Sequence, residues 1–404
     1  MNSHSQLYRI GSLLPPGLFK WARIGTMFVL ILMLSGILLS CNQAQQIVDS
    51  GPYVLKVGLI YTAPSQISTL YGAQLAVTQI NLEGGILGLP LELVARNDQD
   101  NTEFSEELAE ELITKDGVVA LAGPNYSRHA VNVGPVAQRS EVPLVTTTAT
   151  NPSVTEAGDY VFMAAFTDDF QGKVMARFAR DTLRAPTAAL MTQAGDVYSE
   201  GLSNIFAENF SDLGGTIVAR EVYHAGDTDF TSQLTAIAAQ APSVIFMPGF
   251  VPEVPLAIRQ ARTIPQPNAS GITATFLGGD GWDEPDLLSG DSQALDGSYF
   301  SNLFSPETQD PDAQAFVRAY RSMFGIAPTG SAAMGYDALK LIATAMRRAG
   351  SFDKTALRAQ LAATQEYKGA TTLLSYDADR HPTKSAVILK IQNGRVNFHR
   401  QVEP

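Results

Sequence analysis

From Tyr53 onward, short β-branched runs alternate with longer amphipathic stretches, and the alternation happens twice. The first series reads as strand Val54–Tyr61, helix Leu70–Leu82, strand Leu91–Asn97 and a helix capped by Asn101 or Thr102 that runs to about Lys115. Strand Val118–Ala122, a helix from Ser127 and strand Pro143–Thr147 continue it. Gly84-Gly85 ends the first helix, where left-handed backbone is needed. A second series follows Phe166: strand Ala188–Met191, helix Tyr198–Phe210, strand Thr216–Val222, helix Phe230–Ala239, strand Ser243–Met247, helix Glu253–Thr263 and strand Ala274–Gly278. Strand–helix alternation is the pattern of βαβ units, which lay down a parallel sheet between helices. Two blocks of roughly a hundred residues, a common domain size, predict an α/β chain of two doubly wound lobes. Beyond Tyr299 come helices over Asp310–Phe324 and Ala332–Arg348, a short one near Lys354–Ala363, and strands at Thr371–Tyr376 and Ala386–Ile391.

Open α/β sheets bind ligands beyond the carboxyl ends of their strands. Here those ends carry Tyr61 to Ser65, Gly123 to Ser127, Thr146 to Thr150, Gln193 to Tyr198, Gly249-Phe250 and Gly278 to Trp282. Hydroxyls, glycines and aromatics dominate, with Asp280 as the single carboxylate expected among them. That mixture suits a small zwitterion better than a phosphate or a metal. The five histidines (His4, His129, His224, His381 and His399) lack zinc-site spacing. The pairs Asp98/Asp100 and Asp377/Asp379 lack the glycine and distal glutamate of a calcium loop. No nucleophile elbow, Walker loop or dinucleotide fingerprint follows the first strand. Binding is therefore expected rather than catalysis, with no cofactor and no metal. A net charge of −12 argues against a nucleic-acid partner.

Lys20 and Arg23 precede a run of 13 residues, Met27 to Leu39, interrupted only by Ser35 and Gly36. That is short for a membrane span and fits a signal-peptide core. The run ends Leu38-Leu39-Ser40-Cys41, which resembles a bacterial lipobox. The resemblance implies removal of residues 1–40 and lipidation of Cys41, the only cysteine, with 41–52 as a polar tether. Two or three acyl chains anchor a protein to a membrane without a spanning helix.

Further motifs carry a family likeness. Gly72 to Val77 leads into Ile80-Asn81-Leu82-Glu83-Gly84-Gly85-Ile86, and Leu91-Glu92-Leu93-Val94 precedes Asn97-Asp98. Then come Pro143-Leu144-Val145, Thr150-Asn151-Pro152, Gln171-Gly172, Asp229-Phe230, Gly279 to Asp283, and Gly335-Tyr336-Asp337-Ala338. In this order they resemble the periplasmic leucine/isoleucine/valine-binding proteins, across essentially all of 53–404. The resemblance implies a type I periplasmic-binding-protein fold, two doubly wound parallel-sheet lobes joined by a three-segment hinge. Lobe one would comprise 53–166 plus 300–384, and lobe two 167–299 plus 385–404. It implies the extracytoplasmic, periplasmic solute-binding component of an ABC importer. Such a protein captures an amino acid, branched-chain or related, or an amide, and passes it to an inner-membrane ABC permease.

The resemblance also assigns a ligand-binding set. Ser127, opening a helix, would receive a carboxylate with its hydroxyl and the helix amides. The Thr148 carbonyl would accept from the ligand ammonium. Thr150 would offer its amide to the carboxylate and its hydroxyl to the ammonium. Asp280 would close the site from lobe two as counter-ion, with Tyr198 packing on the ligand. Phe250 and Trp282 are candidate walls, and Tyr61 and Ser65 candidate side-chain contacts. Arg128 departs from the family, which usually has a small hydroxylated residue there. It faces the cleft or is a surface cation. Met163-Ala164-Ala165 lacks an arginine frequent in relatives. The rival readings are a ligand-sensing lipoprotein on the same fold and a doubly wound enzyme.

Overall fold

A computed structural model describes residues 53–266, 269–371 and 373–404. The expected signal segment, Cys41 and its tether lie outside the described residues. The first series becomes β1 (Leu55–Tyr61), α1 (Ile67–Leu82), β2 (Leu91–Asn97), α2 (Thr102–Thr114), β3 (Ala120–Ala122), α3 (Ser127–Arg139), β4 (Leu144–Thr146) and β5 (Val161–Met163). Of the two caps the sequence offers, Asn101 serves α2, its side chain accepting from the Phe104 amide. The sheet runs β2-β1-β3-β4-β5, every neighbour parallel. Val57, Leu59, Ala120, Leu121 and Ala122 are fully buried, since helices cover both faces.

The second series begins with α4 (Asp168–Arg177) and continues through β6 (Thr187–Gln193), α5 (Val197–Asp212), β7 (Thr216–Tyr223), α6 (Thr231–Ala239), β8 (Val244–Phe246), α7 (Glu253–Ala261), β9 (Thr275–Gly278) and β10 (Tyr299–Asn302). Then α8 (Pro311–Phe324), α9 (Gly330–Ala349), α10 (Lys354–Ala362) and short strands β11 (Tyr367–Lys368), β12 (Leu373–Tyr376) and β13 (Pro382–Thr383) follow. The chain ends with β14 (Ala386–Gln392) and β15 (Arg395–Val402). The second sheet is ordered β15-β14-β10-β9-β8-β6-β7. It is parallel except where β14 pairs with β10 and β15. Lobe one below means the five-stranded sheet and its helices, and lobe two the seven-stranded sheet with its own.

Helix α9 returns to lobe one and crosses α1 at very close range. A Cβ on Gly72 would meet the Ala332 carbonyl oxygen at 1.8 Å, and one on Gly335 the Thr69 oxygen at 2.3 Å. Reciprocal glycines permit this approach, and Ala73, Ala76 and Ile80 then share a core with Met334, Ala338 and Ile342.

The chain passes between the sheets three times. The second passage differs from the expected one at Tyr299, because Tyr299–Asn302 pairs with β9 and β14 in lobe two. Phe300 is fully buried in that lobe's core, so the passage starts at Leu303. Four residues of mixed polarity gave no strand signal. The first and third passages are pinned together by Lys384, which is 2% exposed. Its ammonium donates to the Ala164 carbonyl at 3.0 Å and to the Thr371 hydroxyl at 2.8 Å. Burial pulls its pKa down to about 8, opposed by the Asp337 carboxylate.

Candidate functional site

In both sheets the strand order reverses at one point, between β1 and β3 in lobe one and between β6 and β8 in lobe two. Such switch points open a crevice beyond the strand ends. The two crevices face one another across a cavity to which Ser127, Thr148, Thr150, Tyr198, Phe250 and Asp280 all contribute.

On the lobe one side, Ser127 is the first residue of α3. Tyr126 at the N-cap gives no side-chain cap, so the leading amides of α3 stay open toward the cavity. The Ser127 hydroxyl oxygen accepts from the amides of Thr150 and Asn151, each at 3.2 Å. This ties the loop after β4 to the helix start and leaves the hydroxyl hydrogen free to donate. Thr148 is held by donation to the Asn125 carbonyl at 2.9 Å. The Thr150 hydroxyl, by contrast, is buried and has the Asp168 carboxylate as its polar neighbour.

The lobe two side is acidic. Asp280 follows β9, and its carboxylate accepts from the Gln171 amide at 2.9 Å. The Gln171 carbonyl oxygen in turn accepts from the Asp280 amide at 2.9 Å and the Ser301 hydroxyl at 2.8 Å. Burial pushes Asp280 up to about 6, against stabilising hydrogen bonds from Gln171 and Tyr198. Asp168, the first residue of α4, is 1% exposed, and its Oδ2 has no partner. Burial, then the nearby Asp280, raises its pKa well above the usual range. Gly279 admits this packing, since a Cβ there would meet the Tyr198 hydroxyl at 2.4 Å and Gln171 at 2.6 Å. Asp283 accepts from the Gly330 amide at 2.6 Å, joining lobe two to the start of α9. Glu284 accepts from the Tyr126 hydroxyl at 2.9 Å and is pushed by burial up to about 7.

Asp280 is therefore not the single carboxylate of the strand-end loops. Asp196 already stands within the Gln193 to Tyr198 loop, and α4 and the turn after Trp282 bring Asp168, Asp283 and Glu284 close by. No lysine or arginine lines the cavity among the described residues.

Three expected contacts fall elsewhere. Trp282 does not form a wall: it is fully buried, and its indole donates to the Met247 carbonyl at 2.9 Å. The missing side chain of Gly278 makes room for that ring, which an added Cβ would meet at 2.1 Å. Tyr61 packs on the lobe one core. Ser65 stands outside the cavity and bonds the Tyr126 hydroxyl at 2.9 Å. Arg128 stays out of this cavity and faces the cleft in an adjoining hollow between the lobes, with Ser65, Gln193 and Pro252. It spans the cleft mouth between Asp100 and Asp196.

Gln66, Asn125, Tyr126, Asp283, Asn302 and Ser331 line the cavity without having been singled out. The Asn125-Tyr126 pair beside Ser127 was the available signal. Among the described residues, no group of three or more His, Cys, Asp or Glu is arranged to hold a metal.

A model of the periplasmic binding protein family matches residues 54–395. The Leu/Ile/Val-binding protein BraC3 of Rhizobium johnstonii is 29% identical over 69% of this chain and 74% of its own. The leucine-binding protein LivK of Thermotoga maritima has a similar structure, with a TM-score of 0.81 and 32% identity, covering 87% of this chain and 99% of that one. LivJ of Streptococcus pneumoniae, a branched-chain amino acid transporter substrate-binding protein solved with isoleucine, also gives 0.81, at 30% identity and covering 87% and 100%. With two switch-point crevices facing one cavity and a family match along nearly all of the described chain, this protein belongs to the periplasmic binding protein family.

Proposed function

We propose that this chain is the extracytoplasmic solute-binding component of an ABC importer, capturing an α-amino acid as its zwitterion between the two lobes. The observation that carries the reading is the unpaired hydrogen-bonding capacity facing the cavity. One end holds the open amides of α3 and the Ser127 hydroxyl, which suit a carboxylate. The other holds Asp280, with the Asp168 carboxylate and the Thr150 hydroxyl close behind. That end suits an ammonium, because buried carboxylates without a cation are costly. BraC3 and LivJ, which carry branched-chain amino acid names, support this class.

In this reading Ser127, Thr148 and Thr150 receive the solute first. Asp280, Tyr198 and Phe250 meet it on closure, and the closed form docks on an inner-membrane ABC permease. Cys41 carries the lipid that keeps the protein at the membrane. Incorporation of labelled fatty acid, abolished by Cys41→Ser, tests the anchor.

The function is tested by calorimetric titration of the purified chain with leucine, isoleucine, valine, alanine and glutamine. Their deaminated and decarboxylated analogues, acetamide and urea complete the panel. Saturable 1:1 binding confined to α-amino acids is the expected result. Binding of amides or urea alone would overturn it in favour of a sensor, and chemical turnover of any solute would point to an enzyme.

A further inference from the structure

Arg128 sits where the two lobes meet, outside the cavity. Its side chain is 25% exposed. One guanidinium nitrogen lies 2.5 Å from Asp100 of lobe one and another 3.3 Å from Asp196 of lobe two. The group also lies 4.2 Å from the ring centre of Tyr126 in lobe one and 5.0 Å from that of Phe250 in lobe two. The two rings meet edge to face at 5.0 Å. Arg128 thus covers a seam whose aromatic sides come from different lobes.

The lobe one end of this contact has a second positive neighbour available in a histidine. His129, fully buried, places Nδ1 2.8 Å from Asp98 and Nε2 3.2 Å from Asp100. At the far end, Asp196 caps α5, one oxygen accepting from the Ser199 amide at 2.8 Å, while its other oxygen faces Arg128. Its side chain is only 2% exposed, so solvent screens this pair far less than an open surface pair. Without Arg128, the buried Asp196 carboxylate would have no cation beside it among the described residues.

We propose that Arg128 is an inter-lobe clasp, a positioning residue whose ion pair with Asp196 holds the lobes closed without contacting the solute. The retention part of this inference rests on the solute-capture reading; the closure part does not. The clasp acts whether or not solute is present, so ligand-free protein spends part of its time closed. Bound solute leaves only when both the clasp and its own contacts release.

The test uses the full chain with spin labels at Glu103→Cys on α2 and Glu208→Cys on α5, both exposed positions. Inter-label distances are measured without ligand, and release of bound amino acid is followed by stopped flow. Arg128→Ala removes the cation. Asp196→Asn removes the charge while keeping a side-chain oxygen to cap α5. Each single variant should lengthen the ligand-free distance and speed release by about tenfold, as truncation of a partly buried charge pair does. The double variant should be no worse than either alone. Wild-type distances and release rates in both single variants, at unchanged melting temperature, would overturn the clasp, as would simple additivity in the double. If no amino acid binds, solute capture fails, while the ligand-free distances still decide the closure part.

Discussion

Lobe one and lobe two face the same cavity with opposite chemistry. Lobe one offers neutral dipoles already locked to one another, such as the Ser127 oxygen between two amides and Thr148 on the Asn125 carbonyl. Lobe two offers carboxylates, and burial raises the pKa of Asp168, Asp280, Asp283 and Glu284 alike. A neutral surface loses little when the opposite lobe is absent, since water serves its open amides and hydroxyls. A buried carboxylate is not, because its charged form loses hydration unless a cation arrives. The division of labour follows from this: lobe one is built to wait for solute, and lobe two to close on a positive charge.

The sharpest way to break this contrast is Asp280→Ala. Loss of one partner from a buried charge pair should weaken amino-acid binding by about a hundredfold or more by calorimetry. A change below threefold would remove Asp280 from the ammonium site. The next largest effect is pH. Asp280 stands at about 6 in the empty cavity, and a bound ammonium would lower that value. The complex then holds fewer protons than the empty protein near pH 6, so binding releases protons and affinity rises with pH. The rise between pH 5 and 7 should reach about tenfold, since a group titrating there contributes at most tenfold per unit. Asp280→Asn should flatten that slope.

A smaller change is expected on the lobe one side. Ser127→Ala leaves the amides of Thr150 and Asn151 without their acceptor. Affinity should fall by about five- to tenfold and melting by a few degrees, the scale of an unpaired buried polar group. If Ser127→Ala proved as damaging as Asp280→Ala, lobe one would not be the neutral partner described here. The smallest effect concerns Trp282. In a chain lacking residues 1–40, where it is the sole tryptophan, its emission maximum should stay fixed on adding solute. A ligand-dependent shift would return the indole to the cavity wall.

Much of the architecture was legible because local signals agreed with the packing. β2 reads at its observed bounds from its apolar run, and α2 and α3 start where Asn101 and Ser127 predict. Helix α4 was missed because Asp168-Asp169 and Gly172 resemble a loop. Gly172 is instead the contact with α5, where a Cβ would meet Ile205 at 2.5 Å. Strand β15 was missed because it lies at the sheet edge and is largely polar. In the site, the strand-end rule pointed to the right loops, and the family resemblance picked from them Ser127, Thr148, Thr150, Tyr198, Phe250 and Asp280, which share one cavity. It could not place Gln171 against Asp280, 109 residues away, or Arg128 against Asp196. Those pairings exist only once both lobes are folded and facing. Trp282 was misplaced because the space left by Gly278 has no sequence period.

Neither lobe is a contiguous stretch of the chain. Lobe one needs α9, which crosses α1 at Gly72 and Gly335, and lobe two is finished only by β14 and β15, ending at Val402. Proteins assembled from consecutive domains fold each as it leaves the ribosome. Here lobe one cannot be completed without α9 nor lobe two without β15, so neither can form from an early stretch of the chain alone. A premature stop upstream of α9 would release neither lobe intact.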